Sequence, residues 1–102
     1  MKLEKIIKSN AKGKKWTAIF CLCKKESCCK DSDKKKVHFG ATGYTDYTLG
    51  ATDKQREAYL ARHASGKTAK PDTANALSYY ILWGDSRSRQ TNINSFQKKY
   101  NL

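Results

Sequence analysis

The chain is poor in acids, in proline and in long apolar runs. Only 9 of its 102 residues are Asp or Glu. That is too few carboxylates to argue for glycosidase or metal-nuclease chemistry, and Asp46 and Asp53 do not read as an acid/base pair. A single proline and no Pro/Ser-rich tract leave no linker between domains. No stretch approaches the roughly 20 apolar residues of a membrane-spanning helix. Met1 to Lys8 hold no apolar run long enough for a secretory signal. There is no internal repeat. Gly40-Ala-Thr-Gly43 lacks the lysine and the spacing of a phosphate loop, so its glycines read as a sharp turn after a strand.

The length points to one compact domain, with no room for a cofactor-binding domain beside a substrate domain. Folding such a chain buries only about 60–65 % of the surface its unfolded form exposes, so its stability is modest or supported by a partner.

What the sequence has in excess is positive charge. Lys and Arg number 21, giving a net charge of +12. Residues 1–36 hold 12 lysines, no arginine and 4 acids, and so carry two thirds of the excess. All six tyrosines lie at or after Tyr44. Lys12, Lys14 and Lys15 form one cluster and Lys34, Lys35 and Lys36 another. These are the candidate contacts to a polyanion or an acidic partner. The plain alternative is a solvated surface that keeps a small protein in solution. With no arginine nearby for bidentate recognition, the charge reads as a diffuse contact surface rather than a reader of nucleic-acid sequence.

Trp16 to Cys23 is an almost continuous apolar run of strand length, rich in aromatic and β-branched residues. It reads as a strand buried on both faces or against a partner. Val37-His-Phe39 alternates and reads as a second strand, paired with the first as a hairpin across an exposed connection, residues 24–36. Residues 1–14 read as a basic arm, whose Leu3, Ile6 and Ile7 stripe becomes ordered against a neighbour. Thr52-Asp-Lys-Gln55 fits a capping box, opening a helix over Asp53 to His63 that Gly66 would close. Asp72 or Thr73 caps a second helix, in which Ala74, Leu77, Tyr80 and Ile81 recur at helical spacing and Gly84 is the stop. Ile93, Phe96 and Tyr100 stripe a third helix, with Lys98 and Lys99 suiting its dipole. The expected class is therefore α+β: a hairpin and then two or three packed helices, over residues 15–102. The expected core is Trp16, Phe20, Phe39, Tyr59, Leu60, Leu77, Ile81, Trp83 and Phe96.

Cys21, Cys23, Cys28 and Cys29 admit three readings. Four sulfurs could hold a metal, with His38 as an alternative ligand, but C-x-C followed by C-C is not the spacing of a zinc knuckle. In a hairpin, Cys23 could face Cys28, with Cys21 and Cys29 as an outer disulfide, in an oxidising compartment such as a virion or secreted space. Or the thiols are free, with Cys21 and Cys23 as apolar strand residues. No Cys–His pair with an orienting third group is recognisable, so His63 reads as a helix-terminal histidine. Tyr44 and Tyr47 could stack on bases, but packing against the core is the favoured reading. No cofactor, small-molecule substrate or enzymatic activity is expected.

Several segments resemble one family. Val37-His-Phe-Gly-Ala-Thr-Gly-Tyr-Thr-Asp-Tyr-Thr48 resembles V-H-F-G-A-x-G-Y-x-D-Y-T. Asp53-Lys-Gln-Arg56 with Tyr59, Leu60, Arg62 and His63 resembles D-x-x-R-x-x-Y-x-x-R-H. Thr73-Ala74 through Tyr80-Ile-Leu-Trp83, and Asn92-Ile93 to Phe96 and Tyr100, follow in order. The pattern is similar to that of small basic proteins of large nucleocytoplasmic DNA viruses, including algal viruses, and covers about residues 34–102. Residues 21–36 depart from it, since most members join the strands by a short polar turn. Ser65-Gly66-Lys67 stands where a tryptophan is common.

The resemblance carries no catalytic residues. Together with the small size, the absence of recognisable chemistry and the basic tail-like segments, it leads to the expectation of a minor capsid protein of an icosahedral virion, inner side rather than outer, made in the infected host cell. Its partners would be the major capsid protein and other minor capsid proteins. The alternative is a nucleic-acid-binding or genome-packaging protein, although no helix-turn-helix, zinc-finger or single-strand-binding signature is present. A host-directed regulator with an acidic partner ranks third.

Overall fold

The longest β-branched and aromatic run becomes the middle of a sheet. In a computed structural model, which describes residues 1–22 and 33–102, strand β2 spans Lys14–Cys21 and pairs on both sides. Strand β1 (Lys2–Lys8) lies antiparallel along one edge and β3 (Lys34–Ala41) along the other. The order is β1-β2-β3, a three-stranded sheet where the sequence suggests a hairpin.

Residues 1–14 are thus more than an arm. Leu3 is buried in the core and Ile6 packs against it, while Ile7 is exposed. A stripe of only three apolar residues in seven reads weakly from sequence, and β2 supplies the partner that makes it a strand. Likewise Lys34 to Lys36, assigned to the connection, already belong to β3. Cys23, Cys28, Cys29 and the rest of the connection to residue 32 lie outside the described residues.

Alternation sorts the side chains of the sheet onto two faces. The inner face carries the rungs Leu3–Phe20–Lys35, Ile6–Ala18–Val37 and Lys8–Trp16–Phe39. Leu3, Ala18, Phe20 and Phe39 from these rungs are fully buried with Leu77, Ile81, Leu82 and Phe96 from the helices. The outer face carries Ile7–Thr17–His38, Lys5–Ile19–Lys36 and Lys2–Cys21–Lys34. Its central column is buried and its flanks are largely exposed.

Helix α1 (Asp53–Arg62) starts at the full capping box: the Gln55 amide donates to Thr52 Oγ1 at 3.1 Å and the Thr52 amide to Gln55 Oε1 at 2.8 Å. It ends at His63. Gly66 does not close it in a left-handed turn. It lies in a 3-10 turn, Ala64–Lys67, and is buried so close to its neighbours that a Cβ there would come within 2.8 Å of Tyr79 Cβ. Close approach, not positive φ, requires that glycine.

The second helix departs most from expectation. Helix α2 (Ala74–Leu77), capped by Thr73, lasts one turn and then widens into a π-helical turn, Ser78–Leu82. The Trp83 amide donates to the Ser78 carbonyl at 3.1 Å, a reach of five residues. In an α-helix five residues overshoot a full turn by roughly 140°. In the π-turn Ser78 and Trp83 fall on one face. Helix α3 (Arg89–Tyr100), capped by Ser88, closes the chain, with Asn101 in the left-handed conformation at its end.

Polar side chains tie the π-turn in place. Buried Asn92 donates to the carbonyls of Ile81 (2.8 Å) and Ser86 (2.7 Å) and accepts from the Ser86 amide (3.0 Å). Arg56 Nε lies 3.1 Å from both the Trp83 and Gly84 carbonyls, and its guanidinium meets Asp85 at 2.8 Å. These bonds satisfy the carbonyls that a helix end leaves open.

Candidate functional site

Two surfaces stand out, one lined by rings and one by lysines. The first is a cleft of about 770 Å³ between the end of β3, the loop after it, α1 and the π-turn. The volume is in the ordinary range for a small-ligand site.

Gly40 shapes its floor. With φ of +78° and Leu82 Cδ1 2.9 Å from where a Cβ would stand, only glycine lets the strand turn there. The chain then reaches Asp46, whose carboxylate is buried. Asp46 accepts from the Thr48 amide (2.9 Å) and hydroxyl, and from Lys15 Nζ at 2.9 Å. A buried carboxylate needs such a set to offset its desolvation.

The wall of the cleft is a ring stack. Tyr59 lies between His63, at 4.2 Å between ring centroids, and Trp83, at 4.3 Å and nearly parallel. Tyr59 and His63 are one helical turn apart on α1, and the π-turn brings Trp83 to meet them. Burial raises the Tyr59 hydroxyl above its ordinary pKa, with the neighbouring Ser78 hydroxyl opposing it. Tyr44 stands at the rim, 74 % exposed. The favoured packing reading therefore fails for Tyr44, because the turn after Gly40 carries it outward.

Packing does describe Tyr47. Its ring sits under Arg87 (4.2 Å to the centroid) and Arg56 (5.4 Å), and its hydroxyl donates to Asp53 at 2.7 Å. That bond, the largest influence, raises its pKa.

The second surface is the outer face of the sheet. Lys5 and Lys36 flank Ile19 from opposite sides and both are exposed. Across the next rung the His38 ring nitrogen lies 2.7 Å from the Thr17 hydroxyl. Three of the six clustered lysines have acid partners in their own chain: Lys15 with Asp46, Lys34 with Glu4 at 3.3 Å and Lys35 with Asp72 at 2.8 Å. The Lys35 bond is the main cause of a lowered Asp72 pKa. Among the described residues no ion pair holds Lys12, Lys14 or Lys36.

Cys21 is disulfide-bonded, which leaves it neither a free thiol nor a thiolate to offer a metal. Of the expected core, Phe20, Phe39, Leu77, Ile81, Trp83 and Phe96 are buried, whereas Trp16, Tyr59 and Leu60 are half-buried. Trp16 carries the Arg89 guanidinium 3.8 Å over its ring. Asn92 and Arg56, which fix the π-turn, escape a reading by residue type. A polar residue at a helical core position was the one signal available for Asn92.

Residues 4–63 match a family described as "Family of unknown function (DUF5754)". An uncharacterised protein of Acanthamoeba polyphaga mimivirus is 38% identical over 87 residues, which cover 78% of this chain and 79% of that protein. The chain belongs to that family. These matches support a viral origin, among large DNA viruses. No solved structure matches it.

Proposed function

We propose that the protein is a non-enzymatic minor structural component of an icosahedral virion, on its inner side, cementing major capsid subunits through protein–protein contacts. The observation that carries this reading is the outer face of the sheet. Lys5 and Lys36 stand exposed on either side of Ile19 with no acid partner among the described residues, so this face presents unneutralised positive charge that an anionic surface can meet. An acidic face of a neighbouring subunit is such a partner, and complementary charge fixes orientation and speeds encounter. The marginal core of a 102-residue chain is tolerable when neighbours complete it. The viral family supports the setting.

The test is quantitative proteomics of purified virions, with wild-type protein and with the double variant Lys5→Glu, Lys36→Glu. Stoichiometric incorporation of the wild type and its loss in the variant are expected. Absence of the wild type from virions overturns the reading. So does release of the protein with the genome rather than with shells, accompanied by DNA affinity that falls about tenfold per phosphate contact for each tenfold rise in salt. That outcome identifies a packaging protein.

A further inference from the structure

A role built on the outer sheet face leaves the ring-lined cleft without a use. Three features of the cleft point to one kind of ligand. Its lining is mostly apolar and aromatic, with a Tyr44 ring exposed at the rim and a His63 ring that pairs on one side only among the described residues. Flat rings with a free face take flat ligands. Its charge is positive once internal pairs are set aside. Lys15 neutralises Asp46, which leaves Lys14 and Arg62 at the cleft with no acid partner among the described residues. And one wall is a π-turn, an irregularity that costs helix regularity and recurs at functional sites. Here it turns Ser78 and Trp83 to the same cleft.

We propose that this cleft binds a nucleotide unit, a planar base against the exposed rings and a phosphate at Lys14 and Arg62. The inference does not depend on the capsid reading, because it uses none of the outer-face lysines. The same chemistry is offered by a free nucleotide and by one residue of a single strand. An acidic peptide would satisfy Lys14 and Arg62 but would leave the rings unused.

The experiment is an NMR titration of the ¹⁵N-labelled full chain with AMP, adenosine, inorganic phosphate, dTMP, a short oligothymidylate and a poly-glutamate peptide. Saturable AMP shifts are expected at residues 40–46, 58–63 and 78–83. AMP should bind at least tenfold tighter than adenosine or phosphate alone. Arg62→Ala and Lys14→Ala, both surface changes, should each weaken AMP about tenfold, and Tyr44→Ala severalfold. Oligothymidylate binding tenfold tighter than dTMP supports the proposal with a strand as the source, and equal binding supports it with a free nucleotide. The proposal is overturned if neither AMP nor the oligonucleotide saturates the cleft, or if shifts fall only on the sheet lysines. Equal binding of poly-glutamate also overturns it. Lys5→Glu, Lys36→Glu should leave AMP binding in place, so this proposal and the capsid reading fail separately.

Discussion

The two faces of one small sheet are built from the same strands and share almost no chemistry. The inner face places Leu3, Ala18, Phe20 and Phe39 under helices, and there the fold draws its stability. The outer face sets Lys5 and Lys36 around the buried column of Thr17, Ile19 and Cys21. The difference teaches that the net charge is not spread evenly over a sphere. Within the sheet, the outer rungs carry Lys2, Lys5, Lys34 and Lys36 and the inner rungs Lys8 and Lys35. On the inner side Lys35 is paired with Asp72, whereas Lys8 stands exposed at the edge of its rung.

The comparison is most easily broken at the inner face. Phe20→Ala should cost about 3–5 kcal/mol, measured as a shift in urea midpoint, because it opens a cavity in the middle of the core. A loss below about 1 kcal/mol would mean that the inner face does not carry the fold.

Next in size is Asn92→Ala. It leaves the Ile81 and Ser86 carbonyls without their donor and should cost about 2–3 kcal/mol in the same assay. Unchanged stability would show that the π-turn holds itself.

A smaller effect lies in alkali. Tyr80 donates to the Lys67 carbonyl at 2.6 Å, and burial, with the Tyr100 hydroxyl beside it, raises its pKa to about 12. An unfolded tyrosine ionises near about 10. The folded value is the higher one, so this contribution is whole below pH 10 and is lost as the pH rises toward 12. Tyr80→Phe should therefore show a flatter stability curve over that window than the wild type. Parallel curves would remove the Tyr80 contribution.

The smallest change belongs to the outer face. Lys5→Gln with Lys36→Gln should leave stability within about 0.5 kcal/mol, since both side chains are exposed and no ion pair among the described residues is lost. A loss above 1 kcal/mol would erase the distinction between the faces.

Much of this was legible in the residues themselves. Trp16 to Cys23 announces a strand by its branched and aromatic run, and Thr52 with Gln55 announces a helix start, because both signals are local. The α+β class follows from their order. The stripe of Leu3, Ile6 and Ile7 was legible but not as a strand, since three apolar residues specify one only when β2 lies alongside. The loss of Lys15, Lys34 and Lys35 as free cations was not legible, because their acid partners stand 31, 30 and 37 residues away.

By itself, then, the sequence determined a basic α+β domain with its lysines early and its tyrosines late. Only the tertiary structure decided which lysines remain unpaired and that His63, Tyr59 and Trp83 form one stack. The reason is physical. Periodicity and capping depend on neighbours within a turn, whereas the π-turn that carries Trp83 to Tyr59 is held by Asn92 and Arg56 from other helices.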